Sequence, residues 1–192
     1  MKTRIGIGCA ILVSAITASA NAEFIAYTFD SPGGGSGWGA PNENLSISSE
    51  HLHWWGEGYG TEGVLFAWDM DASEHAAGTI TFDAAEGWEI RIVSFDVSGY
   101  GTPFNEVSLD VSANGESVFD TILGVNGNST IHNVALDTSF ASSFSIKMED
   151  LAISMNSGMD NVVIEMQQIV PAPGAVALLG LAGLAARRRR RN

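Results

Sequence analysis

Seven runs between Gly78 and Gln167 are built on a period of two. "GTITFDA", "WEIRIVSFDVSG", "EVSLDVSANG", "ESVFDTILG", "STIHNVAL", "SFSIKMED" and "DNVVIEMQ" alternate apolar with polar residues and are rich in Val, Ile, Thr and Phe. In "VSLDVSA", Val107, Leu109 and Val111 fall on one side and Ser108, Asp110 and Ser112 on the other, the pattern of a half-buried strand. In "EIRIVSFDV" the same rule sets Ile90, Ile92, Ser94 and Asp96 against Arg91, Val93, Phe95 and Val97. Turn-forming Gly, Asn, Asp and Pro recur about every 8 to 12 residues. No stretch of this region carries a long apolar stripe at helical spacing. A chain so patterned buries its apolar sides by stacking sheets. The expectation is therefore an all-β fold, an antiparallel β-sandwich of about eight strands, with a galactose-binding-like jelly roll as its topology.

Both ends depart from this pattern. Lys2 and Arg4 precede the apolar stretch "IGIGCAILVSAIT", and "ASANA" follows, with Ala20 and Ala22 at the two positions a signal peptidase reads. The apolar run is shorter than the roughly 20 residues of a membrane span. Residues 1–22 therefore read as a secretory signal helix, cut by signal peptidase between Ala22 and Glu23. Cys9, the one cysteine, lies inside the apolar run rather than at its end, which argues against a lipoprotein. The domain over residues 23–169 has neither disulfide nor thiol chemistry, and its length of about 150 residues suffices for one core without staples.

Charge is concentrated in that domain. All 22 Asp and Glu lie between Glu23 and Glu165, where Arg91 and Lys147 are the only cations, a formal charge of −20 against −13 for the whole chain. So negative a domain repels phosphate backbones, so nucleic acid is not an expected partner. Hard cations such as Ca²⁺ are favoured instead, while most of the carboxylates serve as a solubilising surface.

Several local patterns suggest chemistry. "GYGTEG" (Gly58 to Gly63) matches the G-x-G-x-x-G fingerprint, but the strand-like "VLFAWDM" follows where a helix would have to start, so it reads as a flexible loop. "DMDASE" (Asp69 to Glu74) begins like a calcium loop and fails at its sixth and twelfth positions, Glu74 and Ile80. "HLHWW" puts His51, His53 and Trp55 on one face of a strand and Leu52 and Trp54 on the other. H-x-H offers zinc two imidazoles, yet no third ligand is placed by spacing. Aromatic rings that stack on sugar faces are the competing reading. Trp38, Trp54, Trp55 and Tyr59 sit in or beside glycine-rich loops and are the candidate ligand-binding set, with packing in the sandwich core as their alternative role.

First and last strands of a jelly roll lie side by side, so Asp30 of "AYTFD" and Asp160 of "GMDNVVIE" are expected to converge. With Asn161 they form a candidate structural Ca²⁺ site, the alternative being acids that cap turns at strand ends. Catalysis is not expected: G-x-S-x-G and H-E-x-x-H are absent and the domain has no cysteine nucleophile. With 22 acids, some pairs reach glycosidase spacing by chance. Asn44 and Asn128 begin N-x-S/T sequons, which matter only in a host that glycosylates them.

The chain closes on "VPAPGAVALLGLAGLAARRRRRN". Ala175 to Ala186 gives about 18 Å of helix against a hydrocarbon core of about 30 Å, marginal for a lasting span. Arg187, Arg188, Arg189, Arg190 and Arg191 stay cytoplasmic by the positive-inside rule, leaving the acidic domain outside. In its order of proline motif, apolar helix and arginine cluster, the segment 170–192 resembles the sorting signal of PEP-CTERM proteins, the bacterial exosortase substrates. Its motif Val170, Pro171, Ala172, Pro173, Gly174, Ala175 looks like the VPAPG variant, with Ala172 where the commonest form has glutamate. The resemblance implies transient anchoring in the inner membrane by a short hydrophobic helix, cleavage near the motif by an exosortase-type enzyme, and delivery to the cell envelope, surface or extracellular matrix. Such proteins are often associated with exopolysaccharide or biofilm matrix. The expected function is binding of exopolysaccharide or another glycan by a non-catalytic sandwich. The alternatives are a purely structural matrix component and a glycan-active hydrolase or lyase on the same scaffold.

Overall fold

The chain forms eleven strands, of which the seven period-two runs supply the last seven: β1 (Ala22–Tyr27), β2 (Leu45–Glu50), β3 (Leu52–Trp55), β4 (Val64–Ala67), β5 (Ala77–Ala84), β6 (Trp88–Gly99), β7 (Phe104–Ala113), β8 (Glu116–Asn126), β9 (Ile131–Ala135), β10 (Ser143–Asp150) and β11 (Ser157–Gln168). A computed structural model describes residues 22–29, 43–68, 76–101, 104–127, 130–151 and 157–170. Asp30, Trp38, Asp69 to Glu74, the signal segment before Ala22 and the tail beyond Val170 lie outside the described residues. Among the described residues there is no α-helix, and no helix long and apolar enough to cross a membrane.

All pairing is antiparallel. One sheet runs β3-β4-β11-β6-β9 with β1 also on β11, and the other runs β2-β5-β10-β7-β8. From β4 to β11 the first strand lies beside the last, the second beside the penultimate, and the chain changes sheet at every connection except the β7–β8 hairpin. The orders β4-β11-β6-β9 and β5-β10-β7-β8 are those of an eight-stranded jelly roll. Its one tight hairpin turns on Asn114 and Gly115, whose φ of 50° and 83° are the paired left-handed values that a two-residue turn between twisted strands requires.

Inner faces of both sheets form one core, in which Phe82, Phe95, Phe144, Ile80, Ile146 and Met159 are fully buried. Removing each such side chain from water contributes about 1.5–3 kcal/mol. The alternation expected for "EIRIVSFDV" breaks in its middle. Ile90 and Ile92 point into the core, but so do Phe95 and Val97, and Asp96 faces outward with Arg91. The cause is a pair of facing bulges. Val163 pairs with Ser94 while Ile164 pairs with Ile92, and β11 inserts one extra residue between Asp160 and Val163. An inserted residue exchanges the two faces of a strand from that point on. Asn161, at φ 50°, takes the left-handed conformation at the β11 bulge.

The start of "HLHWW" also differs from the expectation. His51 lies between β2 and β3, at the corner where the chain leaves the five-stranded sheet for the six-stranded one, with φ 53°. It therefore does not share a strand face with His53 and Trp55.

As expected, the first and last strands pair, Ala22 to Tyr27 against Gln167 to Val162. β6 lines one side of β11 throughout, so β4 and β1 share the other. Beyond β1, the backbone of buried Phe29 is held at both ends. Its N–H donates to Asp160 Oδ1 (3.2 Å), and its carbonyl accepts the Trp54 indole N–H. Gly63 makes room for this contact, because a Cβ there would overlap the Phe29 carbonyl oxygen. Trp54→Phe keeps a ring and deletes the indole donor, so urea unfolding should report a loss of about 1 kcal/mol. Gly63→Ala should cost more, since backbone rather than a flexible side chain must move.

Candidate functional site

Alternation in the β3–β4 hairpin turns Leu52, Trp54, Leu65 and Ala67 toward the core and His53, Trp55, Val64 and Phe66 outward. His53 pairs with Phe66 and Trp55 with Val64, so aromatic side chains from both strands meet on the outer side of the six-stranded sheet. Phe66 is their hub. Around its ring stand Trp68 at 6.0 Å, His53 at 6.1 Å, Trp55 edge-on at 6.4 Å and Tyr59 stacked at 6.4 Å. His53 lies 4.6 Å from Trp68, and Tyr59 lies 5.2 Å from Tyr100. Six rings thus form one ribbon, all at separations typical of favourable aromatic pairs. Trp55 is 45% exposed and Tyr100 42%, whereas Phe66 and Tyr59 are buried beneath their neighbours.

Two glycines let the ribbon lie close to the sheet. Gly158 of β11 pairs with Phe66, and a Cβ on it would come within 2.7 Å of Val64 Cγ2 and 2.8 Å of Tyr59 Cδ1. Gly58, at φ 90°, leaves space for the Tyr100 ring. Beneath this end is a fully buried polar cluster joining the two sheets. Asn105 Nδ2 donates to Asp150 Oδ1 and to Ser157 Oγ, both at 2.9 Å. Burial first, then the nearby Asp150 charge and Tyr100, raise the Tyr59 phenol well above its ordinary value of 10.0.

A polar ladder crosses the same outer face, starting at Asp96 across β11 from the ribbon and running toward the β1 end of the sheet. Asp96 accepts Asn133 Nδ2 on Oδ1 at 2.8 Å and Asn161 Nδ2 on Oδ2 at 2.9 Å. Further along, Arg91 Nε donates to Glu165 Oε2 at 2.6 Å and Gln167 Nε2 to Glu89 Oε1 at 2.7 Å. The Arg91 guanidinium also covers the Phe140 ring at 5.1 Å. Hydrogen-bonding groups and stacking surfaces therefore share one face, which is what a polyhydroxylated ligand requires.

The expected site residues divide accordingly. Trp55 is exposed in the ribbon. Trp54 is turned inward and holds Phe29, and Tyr59 is 3% exposed, so its ring supports Tyr100 and Phe66 and offers no free face. Phe66, Trp68 and Tyr100 were not singled out in the sequence. The signal for two of them was the i, i+2 spacing of "FAW" opposite "HLH", readable only once those runs are known to pair. Of the expected cation ligands, Asp160 directs Oδ1 at the backbone N–H groups of Phe29 and Asn161 (2.7 Å for the latter), and the Asn161 amide is directed at Asp96. Asp30 lies outside the described residues, and among those described no three His, Cys, Asp or Glu converge as a metal group. Ala22 and Glu23 begin β1, Val170 follows β11, and the rest of the proline motif and the arginines lie outside the described residues.

The raised Tyr59 pKa gives a pH prediction. The neutral phenol is favoured by the fold, so its contribution is complete below the unfolded value and is lost as pH rises through the folded one. Melting temperature should fall as pH is raised from about 8 to about 11.5. Tyr59→Phe should flatten that fall in part, since burial also raises Tyr27.

No protein-family model matches the chain, and none of the curated proteins does. Solved structures similar to it include the CBM29-2 carbohydrate-binding module in complex with mannohexaose, with a TM-score of 0.43 and 15% identity over 76% of this chain and 92% of that one. A second is a carbohydrate-binding module of family 29, with a TM-score of 0.42 and 16% identity over 76% and 89%. A third is TmCBM61 in complex with β-1,4-galactotriose, with a TM-score of 0.36 and 10% identity over 66% and 89%.

Proposed function

We propose that this protein is a non-catalytic glycan-binding sandwich, exported and sorted by its C-terminal segment. One observation carries the binding reading: the ribbon of six rings, with Trp55 and Tyr100 open to solvent, shares one sheet face with a hydrogen-bonding ladder. The axial C–H groups of a pyranose carry slight positive charge and settle on the negative face of an aromatic ring. Its hydroxyls both donate and accept, matching a ladder of carboxylates and amides.

Glycan-array binding by the domain 23–169 is the direct test. Trp55→Ala should weaken binding at least about tenfold with an unchanged melting temperature. Val118→Ala, on the five-stranded sheet, should leave binding as it was. Equal binding by wild type and Trp55→Ala would refute the ribbon as the site.

Export and sorting rest on the signal segment, the "VPAPGA" motif and the terminal arginines. Mass spectrometry of protein from its host should give an N-terminus at Glu23 and a chain lacking Arg187 to Arg191. A mature chain that retains those arginines would refute processing.

A further inference from the structure

The same face has a charge preference that follows from its donors and acceptors. Within residues 23–169 the only cationic side chains are Arg91 and Lys147. Both are paired, Arg91 with Glu165 at 2.6 Å and Lys147 with Glu149 at 3.0 Å. Lys147 belongs to β10 of the other sheet. Along the ladder the strong donors are directed at the protein's own acids: Asn133 and Asn161 at Asp96, Gln167 at Glu89, and Arg91 at Glu165. The ladder's carboxylates only accept, and of these Asp96 and Glu89 are half-buried and Glu165 is buried against Arg91. Glu57 and Glu62, both exposed, stand in the loop that carries Tyr59.

A uronate or sulfate group is itself an acceptor with negative charge. It would meet amides and a guanidinium already directed at the protein's own acids, and the field of a domain with 22 acids. A hydroxyl can donate to the ladder, and an ammonium can donate three times and gains from the field. We infer that the ribbon face selects glycans without acidic groups: neutral polymers, and more strongly those bearing free amino groups. This rests on the glycan-binding reading above and adds the ligand's charge class to it.

The test is an array of oligosaccharides in matched sets, each hexose backbone in neutral, amino-bearing and uronate forms, probed at neutral pH with wild type and Trp55→Ala. Binding that depends on Trp55 is expected in the neutral and amino sets, with uronate forms at least about tenfold weaker than their neutral counterparts. Raising salt from about 0.05 M to about 0.5 M should narrow that gap, because screening shortens the reach of the acidic field. Trp55-dependent binding of uronates at a level equal to or above the neutral forms would overturn the charge selection and leave the glycan reading standing. Failure to bind any glycan would overturn the glycan reading itself, and the selection with it.

Discussion

Two facing bulges, one in β6 and one in β11, determine what the six-stranded sheet presents to solvent. Between them the pairing passes from Asp160 with Asp96 to Ile164 with Ile92, and each strand absorbs one extra residue. On either side of that point apolar residues still fill the core: Met159, Phe95 and Val97 on one, Val162, Ile90 and Ile92 on the other. Without the inserted residues, one half of each strand would turn its apolar side to water. With them, Asp96, Arg91 and Glu165 share the outer face, and the chain keeps a continuous core of Phe, Ile and Met beneath.

That arrangement explains why β11 is the strand on which the fold converges. β6 accompanies it along its length, and its other side is divided between β4 and β1. Where β4 ends and β1 begins, Asp160 receives the Phe29 N–H and Trp54 reaches the Phe29 carbonyl. Backbone groups buried at such a junction need partners, and two side chains supply them. The ribbon lies next to this junction, so the residues that secure the sandwich and those proposed to meet a ligand are neighbours. Trp54 and Trp55 divide those tasks one position apart, because successive side chains of a strand point to opposite faces.

Electrostatics adds a further layer. A domain with two cations, both paired within their own sheets, has no positive side chain left for an acidic partner. Its carboxylates are not idle charge. Asp96 and Asp110 each accept from two side chains, and Asp150 anchors the buried cluster near Tyr59. In the proposed reading, the excess of acid and the pairing of both cations favour ligands without acidic groups.

Much of the fold was legible in the amino-acid order. Val107, Leu109 and Val111 are buried as their alternation requires, and the first and last strands pair. Local pattern suffices for the alternation, because face depends on residues close in the chain. The net charge and the absence of thiol chemistry in the domain are likewise properties of composition alone. The bulges, the corner at His51 and the separate roles of Trp54 and Tyr59 were not legible, since each depends on what lies opposite in another strand. Phe66 entered the candidate site only because β3 pairs with β4, and Tyr100 only because the loop bearing Tyr59 packs against it. Sequence by itself determined that this chain forms a strongly acidic antiparallel sandwich with aromatic residues near its loops. Only the tertiary structure decided which rings are buried and which are open, because exposure is set by packing between segments distant in the chain.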